Sequence, residues 1–350
     1  MEPLQRRVWV GLSAPEKDEW MHTIARKLPE QMRYDGLQTF ERYGQRTETG
    51  VFVCGRQQFV FVPGDRVTLG WDSWQEGMNE ATSSDLLEAV SEYGVEDVES
   101  FLSDQMSPVR EVEIAPMLVE CRTRSLGWIE VTEEEAMQQD DADFAAELEK
   151  FRQSKLNEYE QYQQFRLVRH GEDIQVLWFN EDLTLEVLLE ETVEAGFGLL
   201  TEDEWEYLYG GGCRTLFPWG DSFDYTLKLK HFGELQEADK LMDGSIEGVK
   251  RILQDQADRP YDLALPNFFG VQFVGDPYIY ELTLDATGET QPKGGDGGSM
   301  ICGGMGPLVG FLPATAVFYR DPNASDLDLE DVMDCMHYRR VIRLTGVAHS

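Results

Sequence analysis

Cys302 is the side chain best placed to do chemistry. It closes the stretch Gly297-Gly-Ser-Met-Ile-Cys302. A thiol there is either a functional group or, as buried cysteines usually are, a small hydrophobe. The other cysteines, Cys54, Cys121, Cys213 and Cys335, are far apart in sequence. An odd set of five with no close pair is neither a disulfide framework nor a CxxC zinc pattern. His22, His170, His231, His337 and His349 are equally scattered, with no HExxH or paired-histidine spacing, so no zinc or iron site is expected. Carboxylates are the other reactive type in quantity. The run Asp326-Leu-Asp-Leu-Glu-Asp331, followed by Asp334, has the density for a hard cation but lacks the central glycine of an EF-hand loop. It reads as a solvated charged loop.

These residues must be positioned by short elements. Ser13-Ala-Pro-Glu16 is a capping box with proline in the first turn, and Trp20, Ile24 and Leu28 recur on one face of the helix it starts. Apolar runs at Gly50–Cys54, Phe59–Val62 and Val67–Leu69 read as strands, with Pro63-Gly64-Asp65 as a hairpin reversal. Residues 84–102 read as two short helices broken near Gly94, and 111–120 as strand. The spacing of Phe144, Leu148, Phe151, Tyr159, Tyr162 and Phe165 predicts one helix over 140–165. Ile174–Phe179 reads as a strand, 245–253 as a helix, and 338–344 as the closing strand. Thr201 and Glu204 form a second capping box, with Trp205 and Leu208 or Tyr209 on the buried face. From Pro260 the chain turns rich in glycine, proline and aromatics, a texture of short strands and long ordered loops.

Charge restricts the partners. With 66 acidic against 30 basic residues, the formal net charge is -36. Such a surface repels phosphate backbones and anionic lipid heads, which argues against nucleic-acid and membrane-surface partners. No run approaches the ~20 apolar residues of a membrane span. The apolar piece after Arg6 and Arg7 is shorter than a signal-peptide core, so the expectation is a cytoplasmic protein.

Four blocks occur in an order that resembles the formylglycine-generating-enzyme (sulfatase-modifying-factor) family. They are Phe59-Val-Phe-Val-Pro-Gly-Asp-Arg-Val-Thr-Leu-Gly70; Leu200-Thr-Glu-Asp-Glu-Trp-Glu-Tyr207 with Phe217-Pro-Trp-Gly-Asp221; Leu265-Pro-Asn-Phe-Phe-Gly270 with Gly275-Asp276 and Tyr280-Glu281; and Gly297-Gly-Ser-Met-Ile-Cys302 with Ala316-Val-Phe-Tyr-Arg320 and Arg340-Val-Ile-Arg-Leu344. The resemblance implies an α+β, C-type-lectin-like fold over 49–345. It leaves 1–48 as an N-terminal helical extension and makes helical insertions of the segments near 83–104, 135–165 and 240–256.

Family oxidases convert a substrate cysteine to formylglycine with copper and oxygen, using two cysteines close in sequence. Here Cys302 stands where the first would be and Pro307 where the second would be. One soft thiolate leaves Cu(I) under-coordinated, so copper is not expected. The resemblance also implies calcium at Gly275 and Glu281, in a segment two residues longer than usual and containing Pro277. Ser299, Met300 and Arg320 become ligand-binding candidates.

Three functions follow from these observations. One is a non-catalytic module that binds a protein or small-molecule ligand through its glycine-rich loops. Another is a cysteine-dependent copper oxidase or related enzyme centred on Cys302. The third is an acidic scaffold for a basic protein partner. The first is preferred, because the copper pair is incomplete.

Overall fold

The run Phe59-Val-Phe-Val62 is fully buried although its side chains alternate between two faces. Both faces of its sheet are therefore covered. Val60 and Val62 join a large aromatic core with Leu208, Phe268 and Val341, whereas Phe59 and Phe61 join Trp9, Trp20, Met21 and Ile24 on the other side. Burying each such side chain is worth about 1.5–3 kcal/mol, so this strand anchors the sheet from both directions. The structure is a computed structural model describing residues 2–344 except 92, 140–142, 181–182, 232, 235–259, 325–326 and 328. It is a mixed α+β protein with several antiparallel sheets.

The largest sheet runs in the order Met32–Arg42, Gln45–Cys54, Gln57–Val62, Met117–Glu120, Arg340–Arg343, Gly198–Leu199, antiparallel throughout. Its first hairpin turns at Tyr43-Gly44, both at positive φ (53° and 72°), the geometry that matches strand twist in a two-residue loop. The Ala14–Ala25 helix begins as its capping box predicts: the Ser13 N–H and hydroxyl both donate to Glu16 Oε2, at 2.8 and 2.6 Å.

The Glu202–Gly210 helix also starts and stops where its residues dictate. The Thr201 N–H donates to Glu204 Oε2 (2.9 Å), the Glu204 N–H donates to Thr201 Oγ1 (3.2 Å), and Gly211 ends the helix in the left-handed region. Asn267, in the Pro-Asn-Phe-Phe-Gly block, staples this helix to its neighbours. Its amide donates to the Leu208 carbonyl (2.6 Å) while its oxygen accepts from the Phe269 and Val271 N–H groups.

By packing, the chain divides into two compact units. One comprises 1–124, 192–326 and 337–350, and contains the sheet and helices above; the other comprises 125–191 and 327–336. The second has its own antiparallel sheet, ordered Trp128–Val131, Asp173–Phe179, Phe165–His170, Glu158–Gln161. Phe144, Leu148 and Phe151 cover it against Phe165, Leu167 and Val176.

Several sequence expectations need correction. Residues 1–48 are not a separate helical extension. Helix ends at Ala25, Met32–Arg42 and Gln45–Cys54 are strands, and Trp9 and Trp20 lie in the same core as Phe59. Among the described residues, the helix expected over 140–165 is helical only over Phe144–Gln153 and becomes strand at Glu158, so the segment near 135–165, expected as a helical insertion, is mixed helix and strand. Pro63-Gly64 does not close a hairpin. The chain passes there from one sheet to another, and Asp65–Leu69 pairs with Arg110–Ile114. The segment near 83–104 does contain the two expected helices, Glu80–Ser91 and Val98–Ser103, with Gly94 at φ 75° between them. The acidic run near 326–334, expected as a loop, is helical over Leu329–Val332. The helix expected at 245–253 and the insertion near 240–256 lie outside the described residues. No helix among the described residues is long and apolar enough to cross a membrane.

Candidate functional site

The glycine-rich segment that holds Cys302 forms a short helix, Gly297–Cys302, capped by Asp296. Asp296 Oδ1 accepts from the Ser299 N–H (3.2 Å), and the Ser299 hydroxyl donates to the Asp296 carbonyl (2.9 Å). Ser299, a ligand candidate from sequence, is thus occupied in the cap. A Cβ at Gly297 would fall on the Gly310 carbonyl oxygen, and one at Gly298 on the Tyr278 ring. The two glycines are what let this helix sit against its neighbours. Gly297→Ala is therefore expected to cost about 1–3 kcal/mol through overpacking against backbone that cannot step aside. A thermal midpoint equal to that of the parent protein would contradict this.

Cys302 is exposed, and its Sγ lies 3.7 Å from Tyr278 Oη. The hydrogen bond to this thiol is the main reason the Tyr278 phenol is raised above its ordinary range. The Tyr278 N–H donates to Asp276 Oδ1 (3.1 Å), and the ring meets the edge of His231 at 5.0 Å. Asp276 is buried, which on its own would raise its carboxyl. Hydrogen bonds from Lys230 (2.5 Å), the Tyr278 backbone and His231 (3.1 Å) outweigh burial and lower it. Cys302 therefore has a phenol for a partner. Of the other thiols, Cys121 and Cys213 are pushed up by burial, to about 12 and about 11. A lone exposed thiol beside a phenol does not fit the soft two-thiolate set that Cu(I) prefers.

Gly275 and Glu281 both line a cavity of about 20 Å³, so the structure brings the two calcium candidates together. The donor set does not suit a hard cation, however. Glu281 is 3% exposed, its Oε1 accepts from Arg339 Nε (2.8 Å), and its Oε2 accepts from Trp205 Nε1 (3.1 Å) and a second Arg339 nitrogen (3.3 Å). Arg339 is itself fully buried and also donates to the carbonyls of Glu120, Cys121 and Gln272. A cation at Glu281 would have to displace a buried guanidinium. No group of three His, Cys, Asp or Glu among the described residues could hold a metal ion.

Arg320 belongs to a different feature. It forks onto Glu202 (2.7 and 2.5 Å), and Glu202 also faces Lys293 (3.4 Å), which lies 3.0 Å from Glu206. Arg110 completes the cluster, at 3.0 Å from Glu206 and 2.6 Å from Asp203. Burial would raise Glu202, but Lys293, Arg320 and Arg110 together hold it below the usual carboxylate range. Glu206 goes the other way: burial, helped by the Glu202 charge, holds it above that range despite Lys293 and Arg110. Sequence reasoning missed this network. Its one local trace is Glu202 and Glu206, four apart and both buried on the Glu202–Gly210 helix.

A second concavity, about 220 Å³, lies beside Cys302 in sequence. Gly304, Met305, Gly306, Pro307 and Leu308 form one wall, and Asp85, Glu88 and Ala89 of the Glu80–Ser91 helix form the other. Tyr93 Oη donates to the Gly303 carbonyl (3.0 Å), and Tyr225 Oη donates to Asp85 Oδ2 (2.5 Å). Met300, the last sequence candidate, is half-buried against the core, and its carbonyl accepts from the Met305 N–H (3.1 Å). No known protein family matches the chain, and no curated protein matches it either.

Proposed function

We propose that this chain is a divergent relative of the formylglycine-generating enzymes, with a C-type-lectin-like core. It works as a non-catalytic module that binds a ligand through the glycine-rich segment 294–310. The family reading is supported by the blocks that carry the resemblance. Strand Gln57–Val62, helix Glu202–Gly210, the Phe268-Phe269 segment, Val317-Phe318 and Val341 contribute to one continuous core.

The observation that carries the functional reading is the setting of Cys302. Its thiol is exposed, its side-chain partner is the Tyr278 phenol, and the position of a second copper cysteine is Pro307, which lines the neighbouring cavity instead. A rigid scaffold that presents a concavity on such loops is suited to recognition. The expected result is that copper-loaded protein, incubated with oxygen and a Cys-x-Pro-x-Arg peptide, leaves the peptide mass unchanged. Loss of sulfur from the peptide would mark the chain as an oxidase and overturn the reading.

A further inference from the structure

The cavity beside the glycine-rich loop has two chemically distinct parts. Ala89, Met305, Pro307 and Leu308 give it apolar walls. Asp85 and Glu88, three residues apart on one helix, put two exposed carboxylates at its mouth, and the lining holds no basic side chain. Asp85 accepts a neutral phenol hydrogen bond from Tyr225, and no Lys or Arg among the described residues pairs with either acid. A carboxylate mouth over apolar walls is complementary to an aliphatic stem ending in a cation, the anatomy of lysine and arginine. The volume, about 220 Å³, is below the ~300–1,000 Å³ of pockets for drug-sized ligands. One side chain fits that size better than a cofactor does. No third carboxylate, histidine or thiol joins Asp85 and Glu88 in the lining, which disfavours a metal ion there.

We propose that this cavity receives the lysine or arginine side chain of a basic segment of a partner protein, with Asp85 and Glu88 pairing its charge. The proposal rests on the binding-module reading and names the chemical class of its ligand. A protein segment is favoured over a free amine by the rest of the molecule. A net charge of -36 draws basic chains from a distance and raises the association rate, an advantage that grows with the number of cationic residues in the ligand. Tyr93, 57% exposed and bonded to the carbonyl of Gly303, the residue before the lining Gly304, offers a ring on which the flanking residues can lie.

Calorimetric titration of the full chain with a capped lysine- and arginine-rich peptide tests this, with acetyl-lysine methylamide as the free-amine arm. Asp85→Asn/Glu88→Gln is compared with Glu190→Gln/Glu191→Gln, which removes the same charge from two exposed positions elsewhere. Asparagine keeps the acceptor for Tyr225, and a melting curve checks that each variant is folded. The expected result is saturable peptide binding that the cavity pair weakens about tenfold and the control pair by less than about twofold. Equal weakening by both pairs would mean diffuse attraction to a polyanion, and no saturable binding would mean no site; either overturns the proposal. Acetyl-lysine methylamide binding as tightly as the peptide would overturn the protein partner in favour of a small amine. Turnover of the cysteine peptide, by contrast, defeats the binding-module reading and is seen in a separate assay.

Discussion

Lys293→Met is expected to destabilise the protein by about 3–5 kcal/mol at pH 7, the cost of breaking a buried charge pair by removing one partner. Lys293 is 1% exposed, and its ammonium neutralises Glu206 at 3.0 Å and Glu202 at 3.4 Å. Methionine fills most of the volume, so the loss is one of charge and not of packing. The carboxylates left behind lie one turn apart, and only Arg110 and Arg320 remain to balance them with Asp203. Glu206 is already held above its ordinary range by burial and by Glu202, and losing Lys293 removes the strongest influence in the opposite direction.

A carboxyl whose folded-state pKa is raised contributes stability that is fully present below its unfolded value of about 4.3. That contribution is lost as pH climbs through the folded value. The gap between the variant and the parent protein should therefore narrow as pH is lowered from 7 towards 5. Adding Glu206→Gln should recover part of the loss at pH 7. Urea unfolding of parent, single and double variants across that range measures both effects. A gap that stays constant with pH, together with no recovery in the double variant, would place the loss outside this cluster.

What could be read from the sequence was local. The boxes at Ser13/Glu16 and Thr201/Glu204 join residues three apart, and both helices begin where the boxes put them. What failed was either weakly marked or distant. Met32–Arg42 is the outermost strand of its sheet and carries Arg33, Asp35, Glu41 and Arg42. Charge on an edge strand guards against further pairing, and it also erases the apolar alternation that would announce a strand. The reversal after Glu158–Gln161 uses Gln163 at φ 51°, so that turn carries neither the glycine nor the asparagine that usually marks a left-handed position. The pairing of Asp65–Leu69 with Arg110–Ile114 spans a separation that no local pattern encodes.

The site divides in the same way. The closeness of Cys302 to a glycine-rich loop is a sequence fact, but its phenol partner comes from Tyr278, a separate segment. The buried cations Lys293 and Arg339 reach across 87 residues to Glu206 and 58 to Glu281. Glutamates that a sequence shows as surface charge are made structural by partners that only folding supplies.

Trp205 lies between those two networks, and its substitution is the other change expected to have a large effect. It is 3% exposed, stacks on Tyr209 at 4.9 Å and meets the edge of Phe273 at 5.3 Å. Its Nε1–H donates to Glu281 Oε2, and Lys293 Nζ sits 5.5 Å from its ring centroid. Trp205→Ala removes the ring and leaves a cavity under the helix, at a cost of about 3–5 kcal/mol. Trp205→Phe keeps most of the apolar contact but takes away the donor, leaving one Glu281 oxygen to Arg339 alone. The price of that buried acceptor is about 1–3 kcal/mol. The two variants should therefore fall in the order parent, Phe, Ala in urea unfolding. Since Trp205 does not line the Asp85/Glu88 cavity, basic-peptide affinity of the folded Trp205→Phe protein should match the parent's. An unchanged unfolding midpoint for Trp205→Ala would deny the ring its role as an anchor, and a loss of peptide affinity in Trp205→Phe would make it part of the recognition surface.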